Sequence, residues 1–200
     1  GSFGAFNAIS FNGNKIITGS AGGMLLTDSK EAAEKARKWS TQSRERAPWY
    51  QHEEMGYNYR MSNVIAGVIR GQLPHLEEHI AQKKAIYQRY QEGLKDLPVK
   101  MNPYLSCSSP NFWLSCMTID PGCAVTPEQV RLALEAENIE ARPIWKPMHL
   151  QPLYAANDFI TVGDNVGEDI FARGLCLPSD IKNTPEDMER IISVIKGLFT

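Results

Sequence analysis

Residues 10–24 read Ser10-Phe11-Asn12-Gly13-Asn14-Lys15-Ile16-Ile17-Thr18-Gly19-Ser20-Ala21-Gly22-Gly23-Met24. A lysine stands between a hydroxyl and small residues on one side and a glycine-rich turn on the other, with apolar residues at Ile16-Ile17 and again at Met24-Leu25-Leu26. The pattern predicts a strand, a tight loop carrying Lys15, then two short strands joined by a turn. Glycines at 19, 22 and 23 would let backbone approach a bound group closely. A lysine held on short, stiff supports can have its amine desolvated, and such an amine forms Schiff bases with carbonyl compounds. Local pattern by itself favours a plainer reading, a surface lysine in a hairpin. A phosphate-binding P-loop is excluded: Asn14 precedes the lysine and strand-like Ile16-Ile17 follows, where that motif needs Gly-Lys-Ser/Thr running into a helix.

Working outward, 200 residues could make one large domain or a domain and a half. An apolar fraction of 42% supports a real core, and 22% charged residues is ordinary for a soluble protein. A net charge of −2, with no dense basic run, argues against a dedicated nucleic-acid binder. No apolar stretch approaches a membrane span and no signal peptide is visible, so a cytoplasmic protein without a membrane partner is expected. Cys107, Cys116, Cys123 and Cys176 show no C-x-x-C spacing and are expected as reduced, mostly buried thiols.

Thr27-Asp28-Ser29 offers a cap for a helix from Lys30 to Trp39, with Ala33, Ala36 and Trp39 facing inward. In residues 50–63 aromatics alternate with polar residues, and Ser62 or Asn63 can cap a helix whose small residues Ala66, Gly67 and Gly71 permit close packing. His52 with Glu53 and Glu54 fits no helical metal-ligand spacing, so no metal is expected. Pro74 marks a kink before a long amphipathic helix striped by Leu76, Ile80, Ile86 and Tyr90. Residues 98–200 read as a small α/β lobe: strands at 111–119, 139–142 and 175–179, and helices opened by Thr126-Pro127-Glu128, Val166 and Thr184-Pro185-Glu186. Within it, Arg142-Pro143-Ile144-Trp145-Lys146-Pro147-Met148-His149-Leu150-Gln151-Pro152 makes an extended, stiff loop. Trp145 could pack on a sugar or base, and Arg142, Lys146 and His149 could meet phosphate or hydroxyl groups. A structural proline-rich connector fits the same residues equally well.

The stretch SFNGNKIITGSAGGM resembles the cofactor-lysine segment of the DegT/DnrJ/StrS family of nucleotide-sugar aminotransferases, which use pyridoxal phosphate. The resemblance implies that Lys15 carries pyridoxal 5'-phosphate and that Ser10 contacts its phosphate. GYNYRMSNVIAGVIRGQL is similar to the family's G-x-N-Y-R-M segment, which reaches across a dimer interface. On that match Asn58 contacts the partner's cofactor phosphate, Arg60 is a substrate or loop-bracing residue, and the protein is a homodimer with shared active sites. RPIWKPMHLQP resembles the corresponding segment of members acting on UDP-linked 4-keto-6-deoxy sugars of the bacillosamine type, which places Trp145, Lys146 and above all His149 at the substrate. The GLCLPS segment with the last helix matches the family's end, so the resemblance spans nearly the whole chain. One departure is Ser20-Ala21, where the family commonly has an acidic residue or glycine.

The implied fold is α/β, that of the fold-type I pyridoxal-phosphate transferases. Residues 1–73 would be the end of a large cofactor-binding domain, 74–97 a connecting helix and 98–200 a small C-terminal domain. With no initiator methionine and none of the family's upstream cofactor ligands, the chain is expected to be the C-terminal portion of a longer enzyme. The implied activity is amino transfer from a donor such as glutamate to a UDP-4-keto-6-deoxy sugar, for bacterial surface polysaccharide or glycan. A pyridoxal-dependent sugar dehydratase is the second reading, against which the retained Lys15 argues. A non-catalytic sugar-binding or regulatory module is the third.

Overall fold

The computed structural model describes residues 1–199, and contacts divide the chain into two compact units, Gly1–Glu77 and the chain from Glu78 onward. The first unit opens with an antiparallel pair, β1 (Asn7–Ser10) and β2 (Gly23–Leu26), in which Ser10 lies opposite Gly23. Between them residues 11–22 form one long loop instead of the further strand expected at Ile16-Ile17. The reason is packing. Phe11 and Ile17 are buried against Ile69, with Ile16, Met61 and Ile65 around them, so Ile17 is a plug and not a ladder residue.

Helix α1 (Lys30–Ser40) starts at Ser29, whose hydroxyl accepts the Ala32 N–H at 3.1 Å. It buries none of its residues, and Trp39 turns outward, against expectation. The indole N–H donates to Glu54 at 3.1 Å and Lys35 lies over the ring, which holds Trp39 at the polar face. The chain then runs back along the end of α1 through bridges Arg44–His52 and Thr41–Asn58. Helix α2 (Asn63–Gln72) is capped by Ser62 and turns Ile65, Ile69 and Gln72 toward the loop of residues 11–22. A turn at Leu73–His75 that includes Pro74 leads into α3 (Leu76–Gly93), as the proline predicted.

The second unit is built on a fully antiparallel sheet in the order β3 (Val99–Met101), β4 (Ser115–Ile119), β6 (Gly174–Leu177), β5 (Arg142–Pro143). Period-two alternation sends Met117 and Ile119 of β4 and Leu175 and Leu177 of β6 to one face. There they meet Tyr90 of α3, Val130 and Leu134 of α4 (Pro127–Ala136), and Ile191, Ile192 and Ile195 of α6 (Pro185–Lys196). Both α4 and α6 begin with a reciprocal capping box, Thr126 with Gln129 and Thr184 with Asp187, which satisfies N–H groups no helical turn can reach. Helix α5 (Val166–Arg173) runs directly into β6. Two expected strands are shorter than their apolar runs. Residues 111–114 stay outside the ladder, Phe112 adopting φ of 51° against Tyr87 and Tyr104, and only Arg142–Pro143 pairs in the other. The cysteines are free thiols, yet only Cys176 is buried; Cys116 and Cys123 are half-buried and Cys107 is exposed.

Candidate active site

Lys15 ends a tight turn in which its N–H donates to the Asn12 carbonyl at 3.0 Å. Ser10 sits where β1 gives way to that turn, and its hydroxyl accepts the Asn12 N–H at 3.3 Å. The base of the loop is closed by Phe11 N–H to Gly22 O at 3.0 Å and Gly19 N–H to Phe11 O at 2.9 Å. Its far side is pinned by a side chain that sequence reading passed over. Gln72, at the end of α2, accepts the Thr18 N–H at 3.1 Å and donates to the Thr18 carbonyl at 2.6 Å. Gly19 admits no side chain here, because a Cβ would lie 2.7 Å from Ile65 Cγ2. Ser20, the departure noted in the sequence, takes the left-handed region at φ 66° and is steadied by its N–H donating to Thr18 Oγ1 at 2.9 Å. Lys15 is half-buried on a loop fixed at its base and its far side.

Asn58 and Arg60 lie on an exposed segment leading into α2, the helix that anchors the lysine loop. That segment is zipped to the end of α1 by Tyr57 N–H to Trp39 O at 2.7 Å and Tyr59 N–H to Ser40 O at 3.0 Å. Gly56 makes the approach possible: a Cβ there would sit 2.2 Å from the Gln42 and Ser43 backbones. Tyr57 and Tyr59 stack with ring centroids 5.2 Å apart, flanking Asn58 in sequence. Beneath, Glu54 receives Lys35 at 2.5 Å, Trp39 at 3.1 Å and Lys38 at 3.2 Å. The Lys35 hydrogen bond first, then those of Trp39 and Lys38, hold its carboxyl well below the usual range, at about 2.

Trp145, Lys146 and His149 belong to the second unit. Their segment is less extended than expected: Met148–Leu150 and Pro152–Tyr154 are single 3-10 turns, the second begun by the preset φ of Pro152. Trp145 and Lys146 are exposed, and Trp145 leans on Trp113 with centroids 5.8 Å apart. His149 is held by groups the sequence did not reveal. Its Nε2 lies 2.7 Å from Glu168 Oε1 and its ring stacks on Phe159 at 4.1 Å. The Asn165 side-chain amide lies 3.1 Å from the same Nε2, so His149, Asn165 and Glu168 form one polar cluster. Asn165 caps α5 and donates to the same carboxylate. A depression of about 240 Å³ opens beside the ring, lined by Met148, Tyr154, Asn157, Asp158 and Phe159. No group of three or more possible metal ligands occurs among the described residues.

A half-buried lysine on a doubly fixed loop thus stands within an α/β fold. The comparisons supply the class. The DegT/DnrJ/EryC1/StrS aminotransferase family matches residues 1–196, and the chain belongs to that family. EpsN of Bacillus subtilis, whose name carries a provisional assignment as a pyridoxal phosphate-dependent aminotransferase, is 45% identical over all of this chain and 52% of its own length. GDP-perosamine synthase of Caulobacter vibrioides is 33% identical over 98% of this chain and 53% of its own. The crystal structure of a DegT/DnrJ/EryC1/StrS aminotransferase from Brucella abortus superposes with a TM-score of 0.84 at 27% identity, covering 98% of this chain and 52% of that one. The α/β fold expected from the sequence is thus the fold of pyridoxal-phosphate-dependent aminotransferases. The chain spans about half the length of the relatives it matches.

Proposed function

We propose that the chain is the lysine-bearing C-terminal portion of a pyridoxal-phosphate-dependent aminotransferase acting on a nucleotide-linked keto sugar. The observation that carries this reading is the doubly fixed loop around Lys15, closed at Phe11–Gly22 and pinned by Gln72. The residues present fit the cofactor: an amine for its carbonyl, and the hydroxyl of Ser10 for its phosphate. When bound, pyridoxal phosphate supplies an electron sink for the carbon that gains or loses the amino group. Lys15 would hold it through Nζ, and the same amine would serve as the base that moves a proton at the reacting carbon. Gly19, Gly22 and Gly23 leave room for Ile65, Met61 and the Ile9 carbonyl, which lets the loop carrying Lys15 pack closely on its own unit.

Asn58, exposed on its zipped segment, is proposed to reach the cofactor phosphate of a second copy, with Arg60 beside it, in a homodimer. The outward face of α2, where a Cβ at Gly67 or Gly71 would meet nothing within 4 Å, supports that packing. Trp145 and Lys146 are assigned to the nucleotide sugar, and His149 to its hydroxyl groups. A UDP-4-keto-6-deoxy sugar and a glutamate-type donor, serving surface-glycan synthesis in the cytoplasm, complete the proposal. GDP-perosamine synthase, a relative whose name contains a nucleotide, supports the substrate class. The proposed division remains 1–73, 74–97 and 98–200.

The test is a visible spectrum with added pyridoxal phosphate, followed by borohydride reduction and peptide mapping. A new absorbance band and a cofactor mass retained on the Lys15 peptide, lost in Lys15→Ala, are expected. An adduct missing from this chain and from a version extended upstream would overturn the reading.

A further inference from the structure

Cys116 and Cys176 face one another across β4 and β6, directly opposite in register, with their sulfurs 3.6 Å apart. The hydrogen-bonding pattern fixes which type of antiparallel pair this is. The Cys116 N–H donates to the Asn102 side chain at 2.9 Å and its carbonyl accepts the Asn102 N–H at 2.8 Å, so both its backbone groups point toward β3. Across the β4–β6 seam, Cys116 and Cys176 are therefore a non-hydrogen-bonded pair. Such pairs bring Cα atoms to about 4.5 Å and side chains closest together. That separation lies within the span a disulfide tolerates. The two sulfurs can bond by side-chain rotation, with no strand exchanging a backbone partner.

The pair is also chemically unequal. Arg142 lies opposite Cys176 in the β5–β6 register. A hydrogen bond from the Cys116 thiol, and then the Arg142 charge, shift Cys176 toward the thiolate, while the same contact and burial push Cys116 up. Cys116 is half-buried, whereas Cys107 is exposed and has no cysteine opposite it.

We propose that Cys116 and Cys176 form a dithiol modification site that small-molecule disulfides convert to a cross-strand bridge. One thiol of the pair, as its thiolate, attacks one sulfur of the small disulfide, forming a mixed disulfide and expelling one thiolate. The other thiol gives up its proton, attacks the protein sulfur of that mixed disulfide and expels the second thiolate. Two protein thiols are oxidised, one disulfide is reduced to two thiols, and no other oxidant is required. The bridge ties β4 to β6, and β6 in turn pairs with β5, where Arg142 is held by Glu140.

The test incubates the full chain with oxidised glutathione, alkylates remaining thiols, and maps peptides without reduction. A peptide linking Cys116 to Cys176 is expected, at a mass two hydrogens short of the separate peptides, with any stable glutathione adduct confined to other cysteines. Cys116→Ala should instead trap glutathione on Cys176, because the resolving thiol is gone. Arg142→Gln should slow bridge formation several-fold while leaving Cys107 modification unchanged. Should that variant or Cys116→Ala fail to fold, the wild-type map still decides. Cys116 and Cys176 both recovered alkylated while Cys107 is modified would overturn the proposal, as would a bridge to any other cysteine.

Discussion

The two units are held together in opposite ways. Beyond Glu78, a continuous apolar layer fixes the structure: Tyr90, Val130, Leu134 and Ile195 are wholly buried between sheet and helices. Before Glu77, three buried side chains make the whole core, and Phe6, Leu25 and Val64 stand exposed. What gives the first unit its shape is hydrogen bonding at chosen points: Gln72 on Thr18, Glu54 under Trp39, Tyr57 and Tyr59 on the end of α1. Lys15 is thus positioned largely by directional bonds around its loop, whereas the second unit is positioned by packing. Truncating a core side chain should damage the second unit most, and removing a single polar side chain should damage the first.

Leu134→Ala gives the largest effect. The side chain is fully buried in the cluster that also holds Val130, Leu175 and Ile191, so truncation removes packing from the centre of the layer. A loss of about 2–5 kcal/mol is expected for the unit beyond Glu78, read as a lower denaturant midpoint. A loss under about 1 kcal/mol would mean that the layer is not packed as described.

Gln72→Ala comes next and acts on the other principle. It deletes both hydrogen bonds to Thr18, and one to the Val68 carbonyl within α2, and leaves the Thr18 amide and carbonyl half-buried without that partner. About 1–3 kcal/mol of local stability should go. Amide exchange at Thr18 and Gly19 should quicken while β4 and β6 stay protected. On the proposed function, the retained cofactor mass on Lys15 should fall without any change in the second unit. Uniform exchange throughout the chain would erase the contrast between the units.

These two changes also mark what could be read from the sequence. The lysine loop, the caps at Ser29, Ser62, Thr126 and Thr184, and the Pro74 kink were legible because each rests on residues within a few positions. The helix that carries Leu134 was legible from its Thr126-Pro127-Glu128 start. Gln72 was not: it bonds a residue 54 positions away, and nothing near it in sequence signals that role. The same holds for Glu168 and Phe159 around His149, and for the Cys116–Cys176 register. Ile16-Ile17 misled because an apolar pair reads as strand, and only tertiary packing shows Ile17 to be a plug. Trp39 misled in reverse, since its polar indole edge found Glu54.

Thr126→Ala is smaller. It leaves α4 intact but removes the hydroxyl that accepts the Gln129 N–H at 3.3 Å, breaking the capping box. A cost of about 1 kcal/mol is expected, falling on the packed unit alone and well short of Leu134→Ala. Thr126→Ser, which keeps the oxygen, should recover most of it.

The smallest effect is also the most conditional. Glu54 is held at about 2 by Lys35, Trp39 and Lys38, so its folded-state value lies below that of the unfolded chain, where a glutamate titrates near 4.3. A group depressed on folding contributes stability that is full above the unfolded value and is lost as pH falls through the folded one. Glu54→Gln should therefore weaken the segment at neutral pH, and the difference from wild type should shrink below pH of about 4 and vanish near 2. Added salt should shrink it too, because the lysines involved are partly exposed. Exchange of the Tyr57 amide, bonded to Trp39 O at 2.7 Å, reports the change where it occurs. A difference between wild type and variant that persists unchanged down to pH 2 would show that Glu54 acts there through its shape and its Trp39 contact, not its charge, and the first unit would then owe less to electrostatics than its ion pairs suggest.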